Sequence, residues 1–518
     1  MKFDEFIARA CEGRSLSERQ IENLEKLIKI SKVFHKKAGT YKYIEQIMKD
    51  AVNNDLIVIE AAHQPNFLPY SGVWKKVFLL DYIRKKIPNS IPIFGFFDYN
   101  LCTSNWLVHN RIPDIKKTGV TTIGFKFRNK DKWKRFNHIN KPRKEEWEKE
   151  INNIASTYSK VISKDRNAKL NLELIIAELW KSYELGKSLA EVNAIFFARL
   201  SNIYFGLKVL FFRYSDLHAA EVLKEEHREI LSNVDLFNKI YNEAVIKMRL
   251  DDIGTIPENL VPFWYHCACG GKVPISLVSS REIAGSCPVC GTKYELPTED
   301  FDKYYRHISP RAVTRNIVVA EGFGTGLYVS GSGGGLRYGL IANEISKKLG
   351  FSLPVTIVWI GRDYYIGPMH RLMLKRLRRI YEIDNKDLLN PEEWLKKIEL
   401  KRNEIKNKIK NYELQGNNKK VKECIHEYKH SATQIKIAGS VFGLTPSIID
   451  IIISEGPTKL IEGWNCAICD AQVVFEDNFY KIKKDVIYGN DSKQAYEIVE
   501  LISAVNEKID PLGILGGA

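Results

Sequence analysis

The sequence predicts an α/β protein whose core is a Rossmann-like, doubly wound parallel sheet. Short apolar runs rich in β-branched residues recur along the chain, as in strands that are buried on both faces. Stretches with helical spacing separate these runs, and each run stops abruptly at polar residues. Because parallel strands need a crossover connection, usually a helix, this alternation indicates a parallel sheet.

Length and composition are those of a folded protein with several structural units. The chain has 518 residues, of which 44% are hydrophobic and 27% are charged, and chains of this length usually divide into domains. No apolar run approaches the roughly 20 residues that span a bilayer, and residues 1–5 lack the apolar core of a signal peptide. We therefore expect a cytoplasmic protein without a membrane partner. The net charge of +15 favours an anionic partner: RNA, a nucleotide or a small polyanion.

The first predicted strand carries the first candidate site. Residues 1–50 have the apolar spacing of helices, and Leu56–Ala62 then forms an apolar run that ends at His63, Gln64 and Asn66. Ligands of open α/β sheets bind outside the carboxyl ends of strands. His63 and Gln64 are therefore candidate catalytic residues, and Asn66 is a candidate anion-binding residue. The alternative is that they cap the strand and hydrogen-bond a turn.

A second strand brings a carboxylate to the same edge. Val73–Ile83 has a helical pattern, and Ser90–Phe97 is an apolar run that ends at Asp98. Strand, helix and strand form a βαβ unit, which places Asp98 at the same edge of the sheet as His63. Asp98 is the third candidate catalytic residue.

The alternation continues through a third strand. Helical patterns cover Glu145–Leu185, and the spacing of Ser188 and Glu191 predicts a capping box that opens the next helix. Leu207–Tyr214 then forms a third strand-like run. These elements strengthen the prediction of a doubly wound sheet.

A basic stretch lies between the second and third strands. Residues 126–144 contain nine Lys or Arg residues and one Asp, interleaved with Phe127, Trp133 and Phe136. Cations neutralise phosphates and rings stack on bases, so this composition is typical of a nucleic-acid contact, with Lys132, Lys134 and Arg135 as the cations to test. It is equally typical of a solvated loop whose rings pack into the fold.

Four cysteines predict a structural zinc site. They form two close pairs around a short strand-like segment, as in the two knuckles of a zinc ribbon: Cys267, Cys269, Cys287 and Cys290. Only one residue separates the first pair, so His266 is an alternative ligand. Four thiolates leave no open coordination position, and the metal would therefore hold the module together. Cys466 and Cys469 have two interpretations: they bind a second metal ion together with Cys424, His426 or His430, or they are buried thiols.

A glycine-rich turn is the second candidate site for an anion. The segment Gly331-Ser332-Gly333 follows a run that begins at Tyr328, and a predicted helix at Leu336–Leu349 follows the turn. Such a turn can bring backbone amides and a helix N-terminus to a phosphate or carboxylate, and its alternative is a tight turn without a ligand. Further candidates and strand-like runs flank this turn in the sequence: Ser309, Arg315, Ile317–Ala320 and Val355–Ile360.

The remaining sequence predicts an arm and a tail. A basic amphipathic helix at Arg371–Arg379 precedes two helical patterns that are broken at Gln415–Asn418, which indicates an antiparallel coiled-coil hairpin. The predicted domains are a core, a zinc-ribbon insertion, a coiled-coil arm and a C-terminal α/β segment that packs on the core, at residues 1–260 with 301–370, 261–300, 371–436 and 437–518, respectively.

The order of these segments resembles the BshC family, the cysteine-adding enzymes of bacillithiol synthesis. The resemblance covers most of residues 50–435, and the zinc ribbon would be an insertion in a divergent member. It rests on a succession of short segments: His63-Gln64-Pro65 with its strand, Ile91–Phe97, Ser188-Leu189-Ala190-Glu191, Leu207–Asp216, Ser309-Pro310 with Arg315, Tyr328–Ile345, Leu353-Pro354 and the hairpin.

The resemblance implies a homodimeric carbon–nitrogen ligase-like enzyme that joins an amino acid, such as cysteine, to a small-molecule amine. That reaction needs an activated carboxyl group, and hence ATP or another nucleotide. In this scheme His63 and Gln64 bind phosphates or the charge of an acyl-adenylate, and Asp98 orients the amine or accepts its proton. The glycine turn supplies amides to an anion, and Arg315 supplies a charge. The alternatives are an RNA-binding or RNA-modifying protein and an inactive scaffold homologue.

Overall fold

The computed structural model describes residues 1–10, 15–50, 56–114, 120–365, 367–369, 372, 375, 379, 391–442 and 447–488. The helix expected at Arg371–Arg379 lies almost entirely outside these residues, as does the tail after residue 488. The helices are α1 Phe3–Ala10, α2 Glu18–Ala38, α3 Tyr41–Asp50, α4 Ser71–Lys86, α5 Lys144–Ile162, α6 Arg166–Leu185, α7 Leu189–Arg199, α8 Tyr214–Ala219, α9 Lys224–Ser232, α10 Val234–Lys247, α11 Phe301–Tyr304, α12 Ala312–Phe323, α13 Gly334–Leu349, α14 Pro391–Leu414, α15 Asn418–Phe442 and α16 Ile448–Cys469.

The strands divide among two larger sheets and two short pairs. In chain order they are β1 Ile57–His63, β2 Ser90–Phe96, β3 His109–Pro113, β4 Val120–Gly124, β5 Leu210–Arg213, β6 Leu260–His266, β7 Lys272–Ser279, β8 Glu282–Ser286, β9 Lys293–Pro297, β10 Ile308–Pro310, β11 Thr325–Ser330, β12 Val355–Trp359, β13 Asp363–Tyr365, β14 Val473–Glu476, β15 Phe479–Ile482 and β16 Val486–Tyr488.

The central sheet confirms the predicted α/β class. Its order is β14-β15-β12-β11-β1-β2-β5, and only β14 is antiparallel to its neighbour. The six parallel strands, numbered along the chain, therefore stand in the order 3-2-1-4-5-6, which is that of doubly wound dinucleotide-binding sheets. The strand order reverses between β1 and β11, and ligands of such sheets bind at the carboxyl ends of the strands at this switch point.

Helices cover both faces of this sheet, because its strands are apolar on both sides. Ile59 and Phe94 point into one core cluster, to which α1, α4, α7 and α16 contribute. Val58 and Ile93 point into the other, to which α3, α9, α10, α12 and α13 contribute. Fully buried parallel strands need such covering on both faces, which explains their continuous apolar runs.

The second sheet is antiparallel, in the order β10-β6-β7-β8-β9. The turns at the ends of β6 and β8 carry the two cysteine pairs. The sheet extends past residue 300, because Ile308–Pro310 pairs with β6. It therefore connects directly to α12, which begins two residues later and packs on the central sheet.

One local prediction is wrong, and a second is confirmed only in part. Ile317–Ala320 forms part of helix α12 rather than a strand, and Gly324 ends this helix with a φ of +60°. Its β-branched residues are buried against the sheet, so their tertiary packing outweighs their strand propensity. The capping box is half formed: Ser188 Oγ accepts from Glu191 N at 3.3 Å, but the Glu191 carboxylate accepts from Lys187 N and pairs with Lys37.

The C-terminal part completes the core. The predicted arm is a pair of helices, α14 and α15, joined by a turn at 415–417. After it, α16 packs against α6, and β15 supplies the sixth parallel strand of the central sheet. Within the described ranges, no helix combines the length and the apolar character that a bilayer crossing requires.

Candidate functional site

The switch point is lined by the end of β1, the end of β11 and the turn that opens α13. β1 ends at His63, and β11 ends at Ser330, with the two strands paired side by side. The glycine turn Gly331–Gly333 follows β11 directly and leads into α13. Two segments singled out in the sequence are therefore brought together at the edge where ligands of this sheet type bind.

Lys76 occupies the space between these two strand ends. Its Nζ donates a hydrogen bond to the Ala62 carbonyl at 2.9 Å. A Cβ atom at Gly331 would lie 3.2 Å from Lys76 Cε and 3.3 Å from Nζ, so glycine lets the ammonium group lie against the turn. Lys76 is buried, and it forms no ion pair with a carboxylate within the described part of the chain. Burial and the charge of Arg315 lower its pKa to about 8.

The glycine turn presents the uncapped end of a helix to the same space. Gly333 is the N-cap of α13, and no side chain caps the helix. Ser332 and Gly333 are exposed. The free amides of a first helical turn attract anions, and the helix dipole adds to this attraction. Lys76 supplies a full positive charge beside this turn.

Arg315 adds a second cation from the opposite face of the sheet. Its guanidinium carbon lies 3.4 Å from the centroid of the Phe97 ring. Its Nε is buried and has no hydrogen-bond acceptor in the described ranges. Arg315 lies close enough to the two strand ends for its charge to lower the pKa of both Lys76 and His63.

His63 is positioned as a neutral acceptor. Its Nδ1 lies 2.9 Å from the Gln64 carbonyl oxygen, so Nδ1 must carry the proton and Nε2 the lone pair. Burial and the charge of Lys76 lower its pKa to about 3, which keeps the ring neutral. A neutral ring in this tautomer cannot donate through Nε2 to a phosphate. The arrangement thus argues against His63 as a donor to an anion, whereas its Nε2 can accept a hydrogen bond from an N–H or O–H group.

Asp98 is held by its own neighbours. Ser215 N donates to Asp98 Oδ1 at 3.1 Å, and Ser215 Oγ donates to Oδ2. Asp98 is almost completely buried, and burial raises its pKa to about 6 despite the charge of Arg213. Both carboxylate oxygens are thus engaged in fixing the start of α8. This arrangement assigns Asp98 a structural role rather than contact with an amine.

Of the other predicted residues, Gln64 and Asn66 lie in the turn after β1 of the central sheet, and Ser309 lies in the second sheet. The Gln64 carbonyl also accepts a hydrogen bond from Asn66 N at 2.9 Å, which closes the turn after β1. Asn66 is buried and its Oδ1 has no partner in the described part of the chain. Ser309 lies away from this turn, 2.8 Å from His266 Nε2.

The four cysteines converge as the sequence predicted. The sulfur atoms of Cys267, Cys269, Cys287 and Cys290 all lie within 4.8 Å of one another and can hold a metal ion such as zinc. A Cβ atom at Gly271 would lie 2.6 Å from the Cys287 sulfur, which explains the glycine behind the first pair.

His266 is excluded as a fifth candidate ligand by its hydrogen bonds. Its Nδ1 accepts from Arg135 Nη1 at 3.1 Å, and its Nε2 therefore donates to Ser309 Oγ. No second cluster of three or more metal-ligating groups occurs in the ranges that the structure describes. Cys466 and Cys469 are exposed and Cys424 is buried, so the expected second site is not formed there.

The basic stretch 126–144 packs along the cysteine turns. Phe136 is fully buried, and Phe127 packs against the core. Arg135 N donates to the Gly270 carbonyl at 2.9 Å, and Lys272 N donates to the Trp133 carbonyl at 2.8 Å. Most of the stretch therefore connects the second sheet to the central one, and two of its three rings pack into the fold, as the loop interpretation predicted.

Lys76 is the main site residue that sequence reasoning missed. It follows Lys75 in helix α4, and consecutive lysines usually indicate a solvated face. The sequence therefore does not reveal its burial, whereas the structure buries eleven of the sixteen residues of α4, including both lysines. No protein-family model matches the chain, and a comparison with curated proteins returned no match.

Proposed function

We propose that this protein is a nucleotide-dependent carbon–nitrogen ligase of the BshC type, with its anion-binding site at the switch point of the central sheet. The observation that carries the proposal is Lys76, a buried ammonium group without a carboxylate partner in the described ranges, placed against an uncapped helix N-terminus. A buried charge is costly unless it is paired, so such a site favours a bound anion. The BshC-like order of segments supplies the reaction type.

The roles of the residues follow from their geometry. Lys76 and the amides of the glycine turn would hold phosphate oxygens or the charge of an acyl-adenylate, and Arg315 would add a second cation. ATP, when bound, would supply the activation of the carboxyl group. His63 Nε2 would accept a hydrogen bond from the incoming amine and so orient its nitrogen.

The proposal is tested by turnover. Release of pyrophosphate or ADP is measured with ATP, cysteine and a panel of amines that includes sugar conjugates. We expect amine-dependent release that is lost in Lys76→Met and reduced in His63→Gln, while Asp216→Asn, outside the site, retains activity. Absence of turnover with every amine, together with absence of nucleotide binding, would support the scaffold alternative.

We further propose that the cysteine cluster holds structural zinc and that the second sheet is a zinc-ribbon module. The supporting observation is the set of four converging thiols, each within reach of one tetrahedral ion. Glycines follow both pairs, at Gly270 and Gly291, and both have positive φ, as tight turns around a metal require. Elemental analysis of purified protein should give one zinc ion per chain.

The two-helix hairpin is proposed to be an antiparallel coiled-coil arm of a homodimer. Ile398, Ile405 and Cys424 are buried along its seam, whereas Leu400 and Leu414 are exposed. Exposed leucines on an arm favour contact with a second copy. Light scattering should give twice the chain mass, and Leu400→Glu should shift the protein toward a monomer.

RNA binding is the second candidate function. Trp133 is 45% exposed and follows the exposed Lys132, which leaves one ring and its neighbouring charge free to contact a base and a phosphate. RNA affinity should fall steeply with salt and weaken in Lys132→Ala, with no change in nucleotide binding. An equal loss of RNA affinity in Lys293→Ala, a control on the second sheet, would argue against a specific RNA-binding surface at Lys132.

A further inference from the structure

A group of cations lies between the second sheet and the central sheet. Trp264 of β6 forms its floor: Arg311 Cζ lies 3.9 Å from the ring centroid and Lys272 Nζ lies 5.1 Å from it. Arg311 is in turn one helical turn from Arg315 on α12, beside the switch point. The group is thus continuous with the anion site of the proposed function.

Neither Lys272 nor Arg311 forms an ion pair with a carboxylate in the described part of the chain, and Arg315 has the buried Glu60 within electrostatic range. Lys272 is only 5% exposed, and within the described ranges its ammonium forms neither an ion pair nor a hydrogen bond. The Nε groups of Arg311 and Arg315 are buried and have no acceptor in the same ranges. By contrast, buried Lys75 is paired with Asp363 at 2.6 Å. Within the described ranges, Lys272 therefore resembles Lys76 and differs from Lys75 in having no carboxylate partner.

The charges are close enough to act on one another. Burial lowers the pKa of Lys272, and the charges of Arg315, Arg311 and Arg135 lower it further. Burial also lowers the pKa of Arg311, to about 10. Like charges that are buried close together repel one another unless an anion lies between them. The arrangement of the side chains therefore favours a bound anion.

We propose that Lys272, Arg311 and Trp264 form a second anion subsite, so that the ligand at the switch point carries at least two phosphate groups. The proposal rests on the switch-point site described above and specifies its ligand class. Two of the three residues come from the second sheet, so the cysteine module would take part in binding rather than only in folding.

The chemistry of the subsite favours phosphate. Arginine presents a planar fork of N–H donors that fits phosphate oxygens, and lysine adds a compact point charge. Arg311 is the N-cap of α12 and Arg315 lies four residues later, about one helical turn, which separates their Cα atoms by about 6 Å. A chain of linked phosphates can reach both arginines, whereas a single phosphate ion can occupy only one position. Because Lys272 is buried, the proposed subsite fits a slender anion and not a duplex.

The test is calorimetric binding of phosphate, pyrophosphate and tripolyphosphate to the full-length protein. We expect affinity to rise with each added phosphate, and Lys272→Met and Arg311→Met each to weaken tripolyphosphate about tenfold while changing phosphate less than about twofold. Arg311→Lys keeps the charge, so it should bind tripolyphosphate more tightly than Arg311→Met and more weakly than the wild type. Arg281→Met and Lys293→Met, on exposed positions of the second sheet, are the matched controls and should bind like the wild type.

Several outcomes would overturn the subsite. These are tripolyphosphate affinity within twofold of wild type in both variants, an equal loss for phosphate and tripolyphosphate, or citrate binding as tightly as tripolyphosphate. Unfolding midpoints at or above the wild-type value would show that Lys272→Met folds. If the tripolyphosphate pattern holds while no amine gives turnover, the subsite stands and the ligase proposal fails; if an amine gives turnover without that pattern, the ligase proposal stands and the subsite fails.

Discussion

Lys75 and Lys76 are adjacent, buried lysines that should respond oppositely to the same substitution. Lys76 has a carbonyl partner but no carboxylate in the described ranges, whereas Lys75 Nζ lies 2.6 Å from Asp363 Oδ2 and donates to the Gly361 carbonyl. Methionine approximates the shape of lysine without its charge. We therefore expect Lys76→Met to stabilise the protein and Lys75→Met to destabilise it.

The expected gain in folding free energy for Lys76→Met follows from the pKa of Lys76. That pKa is lowered from 10.5 to about 8, so keeping Lys76 charged at pH 7 costs about 3 kcal/mol of folding free energy. The lost hydrogen bond to Ala62 offsets about 1 kcal/mol, which leaves a net gain of about 2 kcal/mol. Lys75→Met leaves Asp363 buried and unpaired, at a cost of about 3–5 kcal/mol. The cost of the Lys76 charge is present below pH 8 and disappears as the pH rises toward 10.5.

The assay is urea denaturation of wild type and both variants at pH 7 and pH 10. The Lys76→Met gain should be present at pH 7 and largely absent at pH 10, and the same variant should lose phosphate binding at pH 7. A Lys76→Met protein that is less stable than wild type at pH 7, or one whose gain does not change with pH, would refute the view that Lys76 is an uncompensated buried charge.

Three further predictions concern pH, metal and a second buried charge. Sulfate, whose own charge is constant over this range, should bind the wild type more weakly as the pH rises above about 8, whereas Lys76→Met should show weak, pH-independent binding by calorimetry. Cys287→Ser should lower both zinc content and tripolyphosphate affinity, because Lys272 of the proposed subsite directly follows the cysteine turn at 267–271, while Cys466→Ser should change neither. Glu60→Gln should raise stability by about 2 kcal/mol at pH 8 and by much less at pH 5, because burial raises the pKa of Glu60 to about 7; equal gains at both values would contradict this assignment.

The strands of the central sheet were predictable because strands that are buried on both faces consist almost entirely of apolar residues. Ser90–Phe96 is buried at every position and is apolar at nearly every one, as expected for a strand that is covered on both faces. Ile317–Ala320 has a similar composition but lies in a helix, because the packing of α12 against the sheet decides its conformation. Strand β15 was not predicted individually, since four residues with mixed polarity carry little periodic signal.

The candidate site was only half predictable for a related reason. His63 and the glycine turn follow strands, and strand ends of a parallel sheet meet at one edge whatever the rest of the chain does. Lys76 and Lys272 could not be distinguished from surface lysines, because their burial depends on contacts with residues far away in sequence. The tautomer of His63 likewise depends on one hydrogen bond to the Gln64 carbonyl, which composition does not encode.

The pairing of β1 with β11 has a consequence for synthesis of the chain. Val58 is in register with Thr325, about 270 residues later. At translation rates of about 5–20 residues per second, the central strand waits roughly 15–50 s for this neighbour. During that interval one edge of an apolar strand lacks its partner, which exposes the nascent chain to aggregation. Its folding in cells should therefore depend on chaperones that bind apolar segments during translation.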